Sequence, residues 1–195
     1  MTQEMTTMLS EETWEERRQR QAKEFREIHL PFFFETMKAK KIEYFTVEFN
    51  GGGDDGCVED PVYVKDSEIP SWSDTRKEVG ITDDMKWDSN DYKRLVKKAD
   101  ALHRFYLDPE NIGNMYVYTQ MQYDNSHKRY GMNEYINEFV CMYLSAKDID
   151  WYNNEGGSGV FTYVDGDLQI EGQTYYREED SFEFEESDSE VVKNG

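Results

Sequence analysis

Aromatic rings have to build the core of this chain. Apolar residues make up only 37% of its 195 residues, yet 15% are Phe, Trp or Tyr, including 14 Tyr and 11 Phe. Each large ring buries about 150–250 Å2, so a few rings replace many small side chains. A chain of this length holds one domain of ordinary size, with or without an extension. Wholesale disorder does not fit such a composition, whereas both ends read as poorly ordered.

Periodicity divides the chain into elements. Ser10 reads as an N-cap followed by acidic Glu11 and Glu12, opening a helix that runs to about Leu30. Residues 15–20 are polar on every side, and a helix of that kind is solvated or waits for a partner. From Ala22 an apolar stripe emerges with Phe25, Ile28 and Phe32. Pro31 interrupts or kinks the helix, and Phe32, Phe33, Phe34 and Met37 mark a short buried helix ending near Lys41. The alternation over 42–50 predicts a strand, GGGDDG a turn, and 57–64 a second strand that Pro61 confines to an edge or splits.

Residues 65–90 read as a polar excursion with one or two helical turns. A helix over 91–107 carries Tyr92, Leu95, Val96, Ala99, Leu102 and Tyr106 on one face, and Asp108-Pro109 ends it. Its other face holds Lys93, Arg94, Lys97, Lys98 and Arg104, read as a solvated or internally paired basic patch. A strand follows at 114–124. The cleanest helix covers 132–146, with Met132, Tyr135, Ile136, Phe139, Val140, Tyr143 and Leu144 on one side. Short strands are then expected near Trp151, at 159–164 and at 168–172, with Asp165-Gly166-Asp167 as a turn. A last strand falls at 174–177 or 181–185, and the chain beyond Phe184 reads as disordered.

The expected fold class is α+β: a mainly antiparallel sheet packed against two or three helices, with a helical N-terminal extension. Residues 1–24 form the polar helical extension. Residues 25–185 form a single α+β domain with an insertion at about 65–131, and 186–195 a disordered acidic tail.

Charge constrains the partners. Against 22 Lys and Arg stand 42 Asp and Glu, for a formal net charge of -20. Such a surface repels phosphate backbones and anionic lipid, so no direct nucleic-acid or membrane partner is expected. It favours solubility, cation binding, or docking onto a basic protein surface. No apolar run reaches membrane-spanning length and the first residues hold no apolar stretch of the signal-peptide kind, so the cytoplasm is the expected compartment.

Signals of catalysis are weak. His29, His103 and His127 are scattered without metal-ligand spacing. Ser158 sits in GGSGV, which lacks the closing Gly of a nucleophile elbow. Cys57 lies among acids that raise a thiol pKa, and Cys141 is mid-helix. GGGDDG has no following Lys and Ser or Thr to cradle phosphate. The site candidates are acidic. Asp54, Asp55, Glu59 and Asp60 surround one Gly-rich turn, and Asn153, Asn154 and Glu155 another. Oxygen donors on flexible turns suit Ca2+ or Mg2+, and Asp54, Asp55 and Glu155 are the candidate ligands. No other cofactor is expected. The carboxylates of the 48–60 turn, Asp83, Asp84, Asp88 and Asp91, with Glu178, Glu179, Glu183 and Glu185 of the tail, could imitate a DNA phosphate track for a basic partner.

Two segments carry a resemblance. IEYFTVEFNGGGDDGCVED resembles a strand–GxGD–strand unit followed by an acidic residue. The segment from Tyr135 to Glu185 resembles a helix, then Trp, one residue, two Asn, an acidic residue and Gly-x-x-Gly-x-Phe, with an acidic aromatic end. Both are similar to a family of short uncharacterised bacterial proteins, often on plasmids and phages, known only as a domain of unknown function. The likeness covers 25–64 and 132–185, and the stretch at about 65–131 departs from it as an insertion. It implies a single α+β domain with a strand meander after the helix, and supplies no activity. Its matching positions are Asp54, Asp55, Asn153, Asn154, Glu155 and Gly156, as ligands or as turn residues.

The reading that unites charge, motifs and resemblance is a protein-binding module of a mobile element. It would inhibit a host defence or nucleic-acid-binding protein by occupying its basic surface. The alternatives are an accessory subunit of a larger bacterial complex and a divalent-cation-dependent enzyme or sensor.

Overall fold

The computed structural model describes residues 12–121, 126–153 and 155–174. The chain is α+β, with a four-stranded antiparallel sheet, a two-stranded ribbon and helices packed on one sheet face.

The N-terminal helix begins with α1, Trp14–Glu24, which buries no side chain. Its cap is Thr13, three residues after the expected Ser10, which lies outside the described residues. Thr13 accepts from the Glu16 backbone N–H, and the Glu16 carboxylate accepts from the Thr13 N–H, so two orphan donors are satisfied reciprocally. Pro31 does not end the helix. A π-helical turn over Phe25–His29 joins α1 to α2, Leu30–Lys40, and the Leu30 N–H reaches back to the Phe25 carbonyl. Proline offers no N–H and crowds the preceding turn, and the wider turn just before it accommodates both.

The π turn also resets the buried face. In an unbroken α-helix, residue 33 would lie about 80° around the axis from residue 25. The extra residue in the turn removes most of that rotation, and Phe25, His29, Phe33 and Met37 are all buried. Ile28, expected in the apolar stripe, instead points outward and is 59% exposed. α2 closes with Lys41 in the left-handed region at φ 57°.

The sheet runs in the order β2-β1-β5-β6, with β1 at Tyr44–Gly52, β2 at Asp55–Val58, β5 at Gly157–Val164 and β6 at Asp167–Thr174. Its register aligns Phe45 with Tyr163 and Leu168, and Val47 with Phe161 and Ile170. These residues face α2 and α5, Met132–Ala146. The opposite row of Glu48, Val160 and Glu171 faces water, the one-sided arrangement typical of antiparallel sheets. Phe33 sits between helix and sheet. Its ring stacks on Phe139 at 3.8 Å and 11°, and meets Phe45 and Tyr163 edge-on.

Some strands differ from expectation. β2 stops at Val58, and beyond Pro61 only Val62 returns to bridge Thr46. The strand expected near Trp151 is absent, because residues 149–153 form a loop that turns Trp151 inward onto Phe49. Of the expected final strand, only Thr174 is described, as the end of β6.

The stretch at 65–131 divides in two. α3, Trp72–Glu78, and α4, Asn90–Leu107, share a small satellite core of Val79, Ile81 and Ala99, with Tyr92, Leu95, Val96 and Leu102 against it. The ribbon of β3, Tyr116–Thr119, and β4, Lys128–Gly131, instead belongs to the main core through Ile112, Val117, Met121 and Tyr130. The satellite is tied on at its exit. The Tyr63 N–H donates to the Leu107 carbonyl, and the Asp108 carboxylate takes the N–H groups of Ile112 and Gly113.

Truncating Phe33 to Ala should lower stability by about 3–5 kcal/mol, the range for a buried ring. Ile28→Ala should change it by less than about 0.5 kcal/mol, as for exposed positions. Urea unfolding checks both. A comparable loss at Ile28 would contradict the π-shifted register.

Candidate functional site

The two Gly-rich acidic turns meet in space. Gly53 and Asp54 form the two-residue loop of the β1–β2 hairpin, both with positive φ (65° and 68°), as a primed turn requires. The Asp54 N–H donates to the Tyr152 carbonyl at 3.0 Å. Across this junction the backbones touch where side chains are missing. A Cβ on Gly156 would collide with the Gly51 carbonyl, and Gly156 itself has φ 70°. A Cβ on Gly56 would strike the Trp151 ring. Gly51 and Gly156 therefore serve close backbone approach, Gly56 makes room for the Trp151 ring, and Gly53 supplies the positive φ of the turn.

The carboxylates do not converge with them. Asp54, Asp55 and Glu155 are exposed. Asp55 Oδ1 accepts from the Gly56 N–H at 2.8 Å, and the Asn153 side-chain amide donates to Asp150 Oδ1 at 2.8 Å. Asn154 lies outside the described residues. Among the described residues, no group of three or more His, Cys, Asp or Glu is placed to hold a metal ion.

The thiols and histidines are placed as ordinary residues. The Glu59 charge, 3.7 Å away, pushes the Cys57 thiol pKa up, which keeps it protonated. Burial pushes Cys141 up to about 11. His29 is buried on the π turn, and burial lowers its pKa against the opposing pull of Glu24 at 3.8 Å. His103 packs edge-on against Trp72, and His127 lies near Tyr118.

The satellite carries the acidic loop at 82–89. Asp83, Asp84 and Asp88 are exposed along it, and Asp91 is exposed in the first turn of α4. The Thr82 hydroxyl donates to Asp84 and holds that carboxyl below its usual range. In the middle stands Trp87, 76% exposed. Sequence reasoning picked the aspartates and missed the tryptophan, although its place inside DDMKWD was visible. The basic face of α4 follows directly. Lys93, Arg94, Lys97, Lys98 and Arg104 are all exposed, and among the described residues Arg94 alone of these pairs with a carboxylate, Asp91 at 3.3 Å. Glu178, Glu179, Glu183 and Glu185 lie outside the described residues.

A second surface was not anticipated. α1 and the loop after α5 enclose a groove of about 550 Å3 lined by Trp14, Arg17, Arg18, Trp151 and Tyr152. Arg18 pairs with Asp148, and its guanidinium lies 5.1 Å over the Trp14 ring. The only sequence signal for it was the helix polar on every side. Among the described residues, no helix is long and apolar enough to cross a membrane.

Comparison with protein-family models, curated proteins and solved structures finds no match.

Gly156→Ala should destabilise the fold by at least about 1–3 kcal/mol, the cost of a strained left-handed residue, before the clash with Gly51 is added. Asp54→Asn should leave stability nearly unchanged, since the Asp54 side chain is exposed and Asn tolerates the same left-handed conformation. Thermal melts of the two variants distinguish a backbone junction from a carboxylate site. A second expectation concerns pH. The unfolded chain protonates His29 near pH 6.5, whereas the folded chain does so only at lower pH. The contribution of His29 is thus complete above that value and is lost as the pH falls below it. The urea midpoint should drop as the pH falls below about 6.5 in the native chain, more steeply than in His29→Leu.

Proposed function

We propose that this protein is an acidic binding module that docks onto the basic surface of a protein partner in the cytoplasm, without catalysing a reaction. The observation that carries this reading is Trp87, a large ring standing free among Asp83, Asp84 and Asp88 on the loop that leads into α4. Tryptophan is among the residue types most enriched at binding hot spots, and the exposed aspartates on the same loop supply charge complementarity and steering. The acidic segment 178–185 extends the same chemistry beyond the described residues. The net charge of -20 supports a partner that itself binds nucleic acid, engaged in the manner of a DNA mimic. The resemblance of the two motifs to plasmid and phage proteins supports an origin on a mobile element and a role as inhibitor of a host defence.

The test is a pull-down from nuclease-treated bacterial lysate, washed at low and high salt. A stoichiometric partner released by salt is expected. Trp87→Ala should then weaken binding about 30-fold, the loss of an anchor residue. Asp83→Asn, Asp84→Asn and Asp88→Asn together should slow association and flatten its salt dependence. A partner held equally at both salt concentrations, and indifferent to Trp87→Ala, would point instead to an accessory subunit of a larger complex.

A further inference from the structure

Two surfaces of the satellite complement each other. α4 lays Tyr92, Leu95, Val96, Ala99 and Leu102 on the satellite core. The opposite side of the helix is exposed, and the 3.6-residue period gathers Lys93, Arg94, Lys97, Lys98 and Arg104 there in one stripe. The same period places Ala101 and Phe105 within the stripe, and Phe105 is 51% exposed. Asp91 and Asp100 fall only at its two edges. Among the described residues, Arg94 alone of the five cations is paired, with Asp91, so internal ion pairs do not use up the stripe.

The loop before α4 carries the opposite chemistry: Trp87 is 76% exposed, and Asp83, Asp84 and Asp88 are exposed on the same loop. One surface thus offers a ring with anions and the other a ring with cations. A single molecule keeps them apart, because the 18 residues of α4 span about 27 Å and Arg104 and Phe105 lie in its last turn. A second copy brings them together. When two α4 helices lie antiparallel, the loop of each copy reaches the last turn of the other. Positions 87 and 105 are equally far from residue 96, as are 88 and 104, so Trp87 falls opposite Phe105 and Asp88 opposite Arg104. Both contacts are then made twice across one two-fold axis, which closes the assembly at two chains.

Two factors hold the affinity down. Lys97 lies near the axis and meets its own copy, and a helix face with one loop is a small interface. The net charge of -20 does not forbid the contact, because exposed charges more than about 8 Å apart are largely screened at physiological salt.

We propose that the basic stripe of α4 docks a second copy of this chain, in a weak antiparallel homodimer that packs Trp87 of each copy against Phe105 of the other. The proposal does not rest on the partner reading, since it concerns the chain alone and a monomer would leave that reading standing. The dimer covers Trp87, so a partner anchored on that ring has to displace the second copy.

The test is sedimentation of the purified full chain at 0.15 M salt, from about 10 µM to 1 mM, the range of weak association. Reversible dimerisation is expected, and a monomer throughout overturns the proposal. Asp83→Lys/Asp88→Lys should weaken self-association at least about tenfold, and so should Lys98→Glu/Arg104→Glu, because each sets like charges face to face. All four positions are exposed, and unchanged circular dichroism verifies that the fold is kept. The first variant carries less net charge than the native chain, so general repulsion alone would make it associate more strongly. Mixed in equal amounts, the two variants should form a heterodimer, because the reversed loop of one meets the reversed stripe of the other. Phe105→Ala should weaken the native dimer without touching the loop. A dimer indifferent to these substitutions, or no heterodimer on mixing, overturns the proposal.

Discussion

The stack of Phe33 on Phe139 is the contact through which the rest of this structure is organised. It joins α2 to α5, and the same Phe33 ring rests on Phe45 and Tyr163 of the sheet. Phe25, Tyr143 and Phe161 extend the cluster around Phe139, with Tyr143 edge-on to Phe161. A chain with so many charged residues can fold because these rings concentrate apolar area in a few positions, leaving the surface free for carboxylates. The arrangement depends on the π turn at Phe25–His29, which lines up Phe25 and Phe33 on one side of a helix that a proline would otherwise break. The same turn buries His29 with its Nε2 unpaired by any hydrogen bond among the described residues.

Much of this was legible where one period governs a whole segment. The helix at 132–146 and the strands around Asp165-Gly166 follow directly from spacing, because each buries one face against one layer. The π turn was not legible, since it adds a residue to the count and places Ile28 in water where a 3.6-residue period puts it inside. Trp151 reads as strand from its neighbours, yet it serves as a plug over Phe49, and its loop is shaped by contacts with Gly51 and Gly56 that are distant in sequence. The acidic turns could be picked out one by one. That they meet could not, because their junction is made by backbone and missing side chains rather than by the carboxylates that drew attention.

Structure and charge are divided between two regions. The main core holds the rings, the glycine junction and the sheet. Among the described residues, the satellite of α3 and α4 buries three apolar side chains, Val79, Ile81 and Ala99, beside the buried Thr75, and it carries both the acidic loop with Trp87 and the basic face of α4. A small apolar cluster gives such a region limited stability of its own, and elements that engage partners are commonly drawn from the less stable parts of a fold. In this account the aromatic core is a platform, and the satellite is the part that presents and adjusts.

Native-state hydrogen exchange tests that division most directly. Amides of α2, α5, β1 and β5 should exchange only through global unfolding, and those of α4 through a separate opening of lower free energy. A single shared opening energy across α4 and α5 would contradict it, and would make the satellite an integral part of the core.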